Sequence, residues 1–301
     1  MKHLISCEQC TRQNLEEIFE LTDKIVENPK KYSESLVGNL VSIIFYEPST
    51  RTRLSFESAV QRLGGTIVST ENAKAYSSTA KGETLEDTIK VISGYCDAIV
   101  MRHNEDDSSE RAVKVSSVPI INAGAGKKEH PTQSLLDLYT IRQQKGRIDN
   151  VKLAVLGDLL YGRTIHSLVE LISLYDNISV YGLSKKEFAL PQKYIDYMKS
   201  KNVSYTVCSN FDDIPSDVDV LYHTRTQYER FGGGTGREEF IINKEVLDKF
   251  SKETILLHPL PRNEEISTDV DDDPRALFFK QAHNGVPVRM AILLQCLDKM
   301  E

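Results

Sequence analysis

Apolar residues along the chain fall into short unbroken runs, separated by longer segments in which they recur at three- and four-residue spacing. That is the pattern of buried strands alternating with amphipathic helices. Leu15, Ile18, Phe19, Leu21 and Ile25 form one stripe with Thr11 as a cap, which predicts a helix over 11–29. The run 41–46 predicts a buried strand. Phe56, Ala59, Val60 and Leu63 predict the helix after it, closed by Gly64-Gly65 ahead of a strand at 66–69. A helix at 84–92, strands at 98–101 and 119–123, and a long helix from Pro131 to about Lys145 follow. A second series starts near Val151, with strands at 152–156, 177–183, 203–208, 219–223 and 254–257 and helices at 165–175 and 191–201. Two helices, 276–282 and 288–299, close the chain. Strands and helices that alternate in this way imply parallel sheets. The expected fold is α/β, with two domains, each a parallel β-sheet flanked by helices. One domain takes 1–131 plus 285–301 and the other 132–284.

Composition supports this division and narrows the function. A chain of 301 residues, 40% apolar and 27% charged, is long enough for two cores with a cleft between them. The formal net charge is −7 and the pI about 5.6, so no general basic field exists to hold nucleic acid or an anionic membrane. Local cationic clusters in such a chain mean local anions. No apolar run approaches the roughly 20 residues of a spanning helix, and the N-terminus lacks a secretory core, so the expectation is a soluble cytoplasmic protein. Five cysteines do not make a disulfide framework in a chain this size. Cys7 and Cys10 form a CxxC with no second pair or histidines to complete a metal set, and the four aspartates within 269–273 read as a solvated turn. No metal or organic cofactor is expected.

The candidate chemistry gathers where strands end and helices begin. Pro48 keeps Glu47 out of the helical region, so Ser49 or Thr50 can cap the next turn. Ser49-Thr50-Arg51-Thr52-Arg53 adds hydroxyls and two guanidiniums to the unpaired amides and positive dipole of a helix start, a site for phosphate. A capped surface helix with solvated arginines is the plainer alternative. The polar loop 73–81 ends in Lys81. Arg102 lies at the C-terminal end of its strand, where ligands of open α/β sheets collect, and His130 and Gln133 lie at the start of the long helix. Residues 157–164 have the spacing of a phosphate-binding P-loop, except that Arg163 replaces its lysine and offers a planar fork suited to carboxylates. Arg225, Gln227 and Arg230 follow another strand, and Gly232-Gly233-Gly234 gives the next loop freedom to close as a lid. Pro259 and Pro261 hold the backbone around Leu260 extended and rigid, placing Arg262 or the neighbouring carbonyls.

These clusters divide by chemistry. The first half suits phosphate and a polarised carbonyl and the second suits carboxylates, so the expected reaction is group transfer from a phosphorylated donor to a carboxylate-bearing acceptor. Six motifs, 45–53, 81–84, 130–133, 157–164, 224–227 and 258–262, run in order over essentially the whole chain, and with them it resembles the aspartate carbamoyltransferase catalytic-chain family. The resemblance implies carbamoyl phosphate and L-aspartate as substrates. It places Ser49, Thr50, Arg51 and Thr52 on the phosphate with Arg102 beside it. Thr52, Arg102 and His130 then fall on the carbamoyl oxygen and Gln133 on the carbamoyl amide. Arg163, Arg225, Gln227 and backbone groups of Leu260 fall on aspartate. Arg51, Thr52, Arg102 and His130 are the catalytic set. Ser77 and Lys81 would reach into a neighbouring chain's site, Lys81 serving both substrates, which makes a homotrimer the catalytic unit. Glu47 and Arg230 would be domain-closure partners. Some members assemble with separate regulatory chains, and such control would come from a partner, because this sequence has no zinc domain of its own.

Three other readings compete. Ornithine carbamoyltransferases share the phosphate motifs but carry a cysteine where this chain has Pro259. A non-catalytic scaffold subunit would have lost site residues, and a P-loop phosphotransferase would bind ATP with magnesium.

Overall fold

The computed structural model describes residues 1–73, 82–226 and 240–299. The chain divides into two compact units, Met1–Leu135 with Gly285–Glu301, and Leu136–Asn284, so both crossings fall inside helices.

In the first unit, α1 (Arg12–Glu27) buries the predicted stripe, and Thr11 caps it with a reciprocal bond to Asn14. Strands β1 (Leu40–Phe45), β2 (Thr66–Glu71), β3 (Ala98–His103) and β4 (Ile120–Ala125) form one parallel sheet in the order β2-β1-β3-β4. The connecting helices are α2 (Thr50–Arg62), α3 (Leu85–Ser93) and α4 (Ser108–Val115). Ile44, Ile89, Ile99, Met101, Ala112 and Ile120 pack as a core between sheet and helices. Helix α5 (Pro131–Lys145) leads out of β4.

The second unit carries β5 (Lys152–Gly157), β6 (Ser179–Leu183), β7 (Ser204–Cys208), β8 (Val220–Thr224) and β9 (Ile255–Leu257), with α6 (Arg163–Ile172), α7 (Gln192–Ser200) and the short α8 (Lys244–Leu247). Its sheet is also parallel, in the order β7-β6-β5-β8-β9. The chain winds one way from β5 to β7 and the other from β8 to β9. The β5/β8 pair is therefore the switch point where open α/β sheets leave room for a ligand.

Three expectations change. The closing segment is one helix, α9 (Phe278–Cys296), with Pro287 inside it. The proline removes one ladder donor, but Phe278, Gln281, Val288, Ala291 and Ile292 are buried on both sides of it and hold the helix together. The acidic turn is not simply solvated. Asp271 pairs with Arg262, Asp273 with Arg275, and Asp269 accepts the Lys244 amide. Ser49 precedes α2, but its side chain makes no capping bond.

All five cysteines are buried thiols, and among the described residues none is in a disulfide. Burial, with Glu129 nearby, pushes the Cys10 thiol up to about 12, so it stays protonated at neutral pH. Among the described residues no helix is long and apolar enough to cross a membrane.

Candidate active site

The phosphate half is built at the C-terminal edge of the first sheet. The hydrogen-bond ladder of α2 begins with the Arg53 amide on the Ser49 carbonyl, at 3.0 Å. The amides of Thr50, Arg51 and Thr52 precede that ladder, where a helix presents donors and the positive end of its dipole. Thr52 is buried and Arg51 exposed. Of the two guanidiniums in the motif, Arg53 is structural. Its Nε lies 2.8 Å from Glu57 and its Nη1 3.0 Å from Glu71. Glu71, at the end of β2, also accepts the Ser49 amide at 3.1 Å, so one carboxylate fixes the entry of α2 from the neighbouring strand.

Arg102 sits opposite Phe45 in the β1/β3 register, beside the segment that carries Ser49. Its Nε lies 3.5 Å from Glu47, and its Nη1 donates to the Ala123 carbonyl at 3.4 Å. His130 is buried immediately before α5, and its carbonyl accepts the Gln133 amide at 3.0 Å, which places Gln133 in the first helical turn. The neighbouring His103 is structural. It packs against Tyr46 with ring centroids 4.4 Å apart, it accepts the Glu105 amide, and burial lowers its pKa.

The second unit gathers its cationic groups at the switch point. Gly157 has φ 96°, and a Cβ there would lie 2.0 Å from the Thr224 carbonyl; one at Gly162 would lie 2.3 Å from the Asp158 carbonyl. The two glycines of the P-loop-like spacing are thus fixed by the close approach of β5, its turn and β8. Arg163 opens α6 and is buried. His166, stacked on Tyr194 at 4.2 Å, bonds the Leu159 carbonyl at 2.9 Å and ties the turn to the helix. Arg225 leaves β8 beside this turn, in register with the Gly157–Thr224 pair, and its Nη1 donates to the Thr226 carbonyl at 3.3 Å.

Leu260, after β9, is not in the extended conformation that its flanking prolines predict; it holds φ 53°, a left-handed conformation that costs a leucine on the order of 1–3 kcal/mol. The strain persists because the Leu260 amide is clamped on His258 Nδ1 at 2.8 Å and His258 Nε2 on Glu265 at 2.9 Å. Burial takes the His258 pKa down to about 4, against the pull of Glu265, whose own pKa is lowered. A neutral imidazole accepting at Nδ1 and donating at Nε2 satisfies both bonds.

The structure thus brings Ser49, Thr50, Arg51, Thr52, Arg102, His130 and Gln133 to one sheet edge of the first unit. Arg163, Arg225 and Leu260 follow the strand ends of the second. Ser77, Lys81, Gln227 and Arg230 lie outside the described residues. Glu71, Glu265 and His166 carry no motif of their own, and only the strand register and loop contacts reveal them.

Two parallel sheets, one ending in a phosphate-type cradle and the other in carboxylate-type donors, define a group-transfer enzyme of the open α/β class. The model of the aspartate/ornithine carbamoyltransferase carbamoyl-phosphate-binding domain matches residues 2–143, and that of the Asp/Orn-binding domain matches 149–296. The chain is 48% identical to the aspartate carbamoyltransferase catalytic subunit of Methanocaldococcus jannaschii, over 100% of this chain and 99% of that one. A solved structure of the M. jannaschii aspartate transcarbamoylase catalytic subunit superposes with a TM-score of 0.92, covering 99% of this chain and 98% of that one at 48% identity. A Trypanosoma cruzi aspartate transcarbamoylase in complex with carbamoyl phosphate and aspartate gives 0.91 at 36% identity, with 97% and 95% covered. The chain belongs to the aspartate/ornithine carbamoyltransferase family, and within it to the aspartate carbamoyltransferase catalytic chains.

Proposed function

We propose that the chain transfers the carbamoyl group of carbamoyl phosphate to the amine of L-aspartate, giving N-carbamoyl-L-aspartate and phosphate for pyrimidine synthesis. The observation that carries this reading is the cradle at the entry of α2, with Arg102 and His130 following neighbouring strands of the same sheet. Ser49, Thr50, Arg51 and Thr52 hold the phosphate. Thr52, Arg102 and His130 donate to the carbamoyl oxygen, and Gln133 orients the carbamoyl amide. Arg163, Arg225 and Gln227 take the two carboxylates of aspartate, and backbone groups of Leu260 complete the acceptor site.

In the reaction the aspartate nitrogen forms a bond to the carbamoyl carbon, whose oxygen takes up negative charge. The bond from that carbon to the bridging oxygen then breaks, its electron pair leaving with phosphate, which also takes the amine proton. Donors fixed before the reaction stabilise charge that develops only on the way to the intermediate, and this is what accelerates the step. The plentiful phosphate donors favour departure of that group without an organic cofactor.

The working unit in this reading is a cytoplasmic homotrimer whose Ser77 and Lys81 complete a neighbour's site, open to control by separate regulatory chains. Hybrid trimers test the reaction and the shared site together. Arg51→Ala and Lys81→Ala chains, each impaired alone, should regain carbamoyl-aspartate production once mixed and allowed to exchange subunits. Some sites then combine an intact Arg51 with an intact Lys81 from the neighbour. Mixed trimers confirmed by mass but no more active than their parents contradict a shared site.

A further inference from the structure

A buried chain of hydrogen bonds in the second unit reaches the Leu260 loop from residues that no motif singled out. The Tyr222 hydroxyl donates to Asp137 Oδ2 at 2.8 Å. Asp137 Oδ1 accepts from Gln281 Nε2 at 2.7 Å, and Gln281 Oε1 accepts the backbone N–H of His258 at 2.9 Å. From there the His258 ring holds the Leu260 amide and Glu265, which also accepts the Asn263 amide at 3.0 Å. Tyr222, Asp137, Gln281 and Glu265 are 0% exposed and His258 is 1% exposed, so water does not substitute for any of these partners.

We propose that Gln281 is a positioning residue for the reaction, setting the backbone of the loop after β9, and with it Leu260, by joining the His258 amide to the Asp137–Tyr222 pair. The proposal rests on the reading that Leu260 backbone groups complete the acceptor site. Its logic is donor and acceptor matching. Both Asp137 oxygens accept here and the His258 N–H only donates, so the side chain between them must donate at one end and accept at the other. The glutamine amide does so in a single orientation, with its NH₂ on Asp137. The loop is thereby tied at three points: His258 N to α9, Leu260 N to the His258 ring, and that ring to Glu265. A backbone placed by such ties is pre-organised for its ligand, and a misplacement of about 1 Å far from the chemistry costs on the order of 10²-fold.

Gln281→Glu makes positioning readable as a pH dependence, because it keeps the shape and exchanges the NH₂ donor for an acidic oxygen. Its carboxylate would face Asp137 at hydrogen-bond distance, and two such carboxylates hold a shared proton. The protonated glutamic acid restores a donor. Titratable and charged groups around this site among the described residues include Tyr222, His258, Glu265, His223 and Arg262. Burial and Asp137 hold the Tyr222 phenol far above its usual range, and the His258 ring is neutral above about 4.

The test is steady-state kinetics of Gln281→Glu and wild type from mildly acidic to alkaline pH, varying aspartate and carbamoyl phosphate separately. Expected is a fall in kcat/KM for aspartate on the order of 10²-fold at alkaline pH. It should recover toward wild type as the pH falls, with the KM for carbamoyl phosphate little changed. Wild-type kinetics at every pH, or a pH-independent loss shared equally by both substrates, overturns the proposal. Should Gln281→Glu not fold, Tyr222→Phe loosens the far end of the chain. A raised aspartate KM supports the proposal there and an unchanged one overturns it. A wild-type chain inactive toward aspartate rejects the reaction itself, a result distinct from a flat variant profile beside an active wild type.

Discussion

In the proposed reaction, replacing His130 with alanine should lower the turnover of carbamoyl phosphate and aspartate on the order of 10²–10³-fold, the usual cost of one donor to a developing oxyanion. The residue is buried in front of α5, with its carbonyl on the Gln133 amide, so its placement comes from a helix start and not from a mobile loop. A fixed donor costs no reorganisation when charge appears on the carbamoyl oxygen. The loss should fall mainly on kcat, because the ground-state carbonyl is a weaker acceptor than the oxyanion. Arg51→Ala should be at least as damaging, since in the proposed reaction it removes a guanidinium from the departing phosphate. Single-turnover and steady-state rates, with the oligomeric state checked by sedimentation, measure both. Wild-type rates in the two variants would instead favour a scaffold subunit.

The second large effect is on the acceptor. Arg225→Ala should raise the KM for aspartate by about 10- to 100-fold, the worth of a charge-assisted hydrogen bond of about 1.5–3 kcal/mol. Arg225 leaves β8 at the switch point of the second sheet, whereas the phosphate cradle belongs to the first sheet, so carbamoyl phosphate binding should survive the change. Calorimetric titration with carbamoyl phosphate or phosphate alone, beside aspartate kinetics, separates the two. Equal losses on both sides, or unchanged aspartate kinetics, would remove Arg225 from the acceptor site.

Much of this was legible in the sequence because the physics involved is local. Strand runs such as 41–46 and the Leu15–Ile25 stripe follow from residue periodicity, and Thr11 caps α1 through a partner three residues away. The donor-rich start of α2 and the His130–Gln133 turn stand out because a helix start offers unpaired amides and a positive dipole end, and its added donors are read directly from neighbouring residues. What escaped depends on contacts between distant residues. Glu71 reaches Ser49 only because β2 lies beside β1, and Gln281 meets Asp137 across 144 positions. The Gly157 and Gly162 spacing looked like a nucleotide loop, and only the nearness of the Thr224 and Asp158 carbonyls shows why glycine is required there. The closing helices expected at 276–282 and 288–299 are one, because buried neighbours on both sides of Pro287 hold it together. Arg53 looked like a second phosphate ligand until Glu57 and Glu71 claimed it.

The central claim is that a phosphate cradle in one half and carboxylate-binding groups in the other serve a single transfer. It is tested most directly by incubating the purified chain with carbamoyl phosphate and measuring carbamoylated product with aspartate, with ornithine and with no acceptor. The expected result is N-carbamoyl-L-aspartate with release of phosphate from the first mixture alone. Product only from ornithine would keep the phosphate half and contradict the roles of Arg225 and Gln227, and no product from a verified trimer would contradict the enzyme itself.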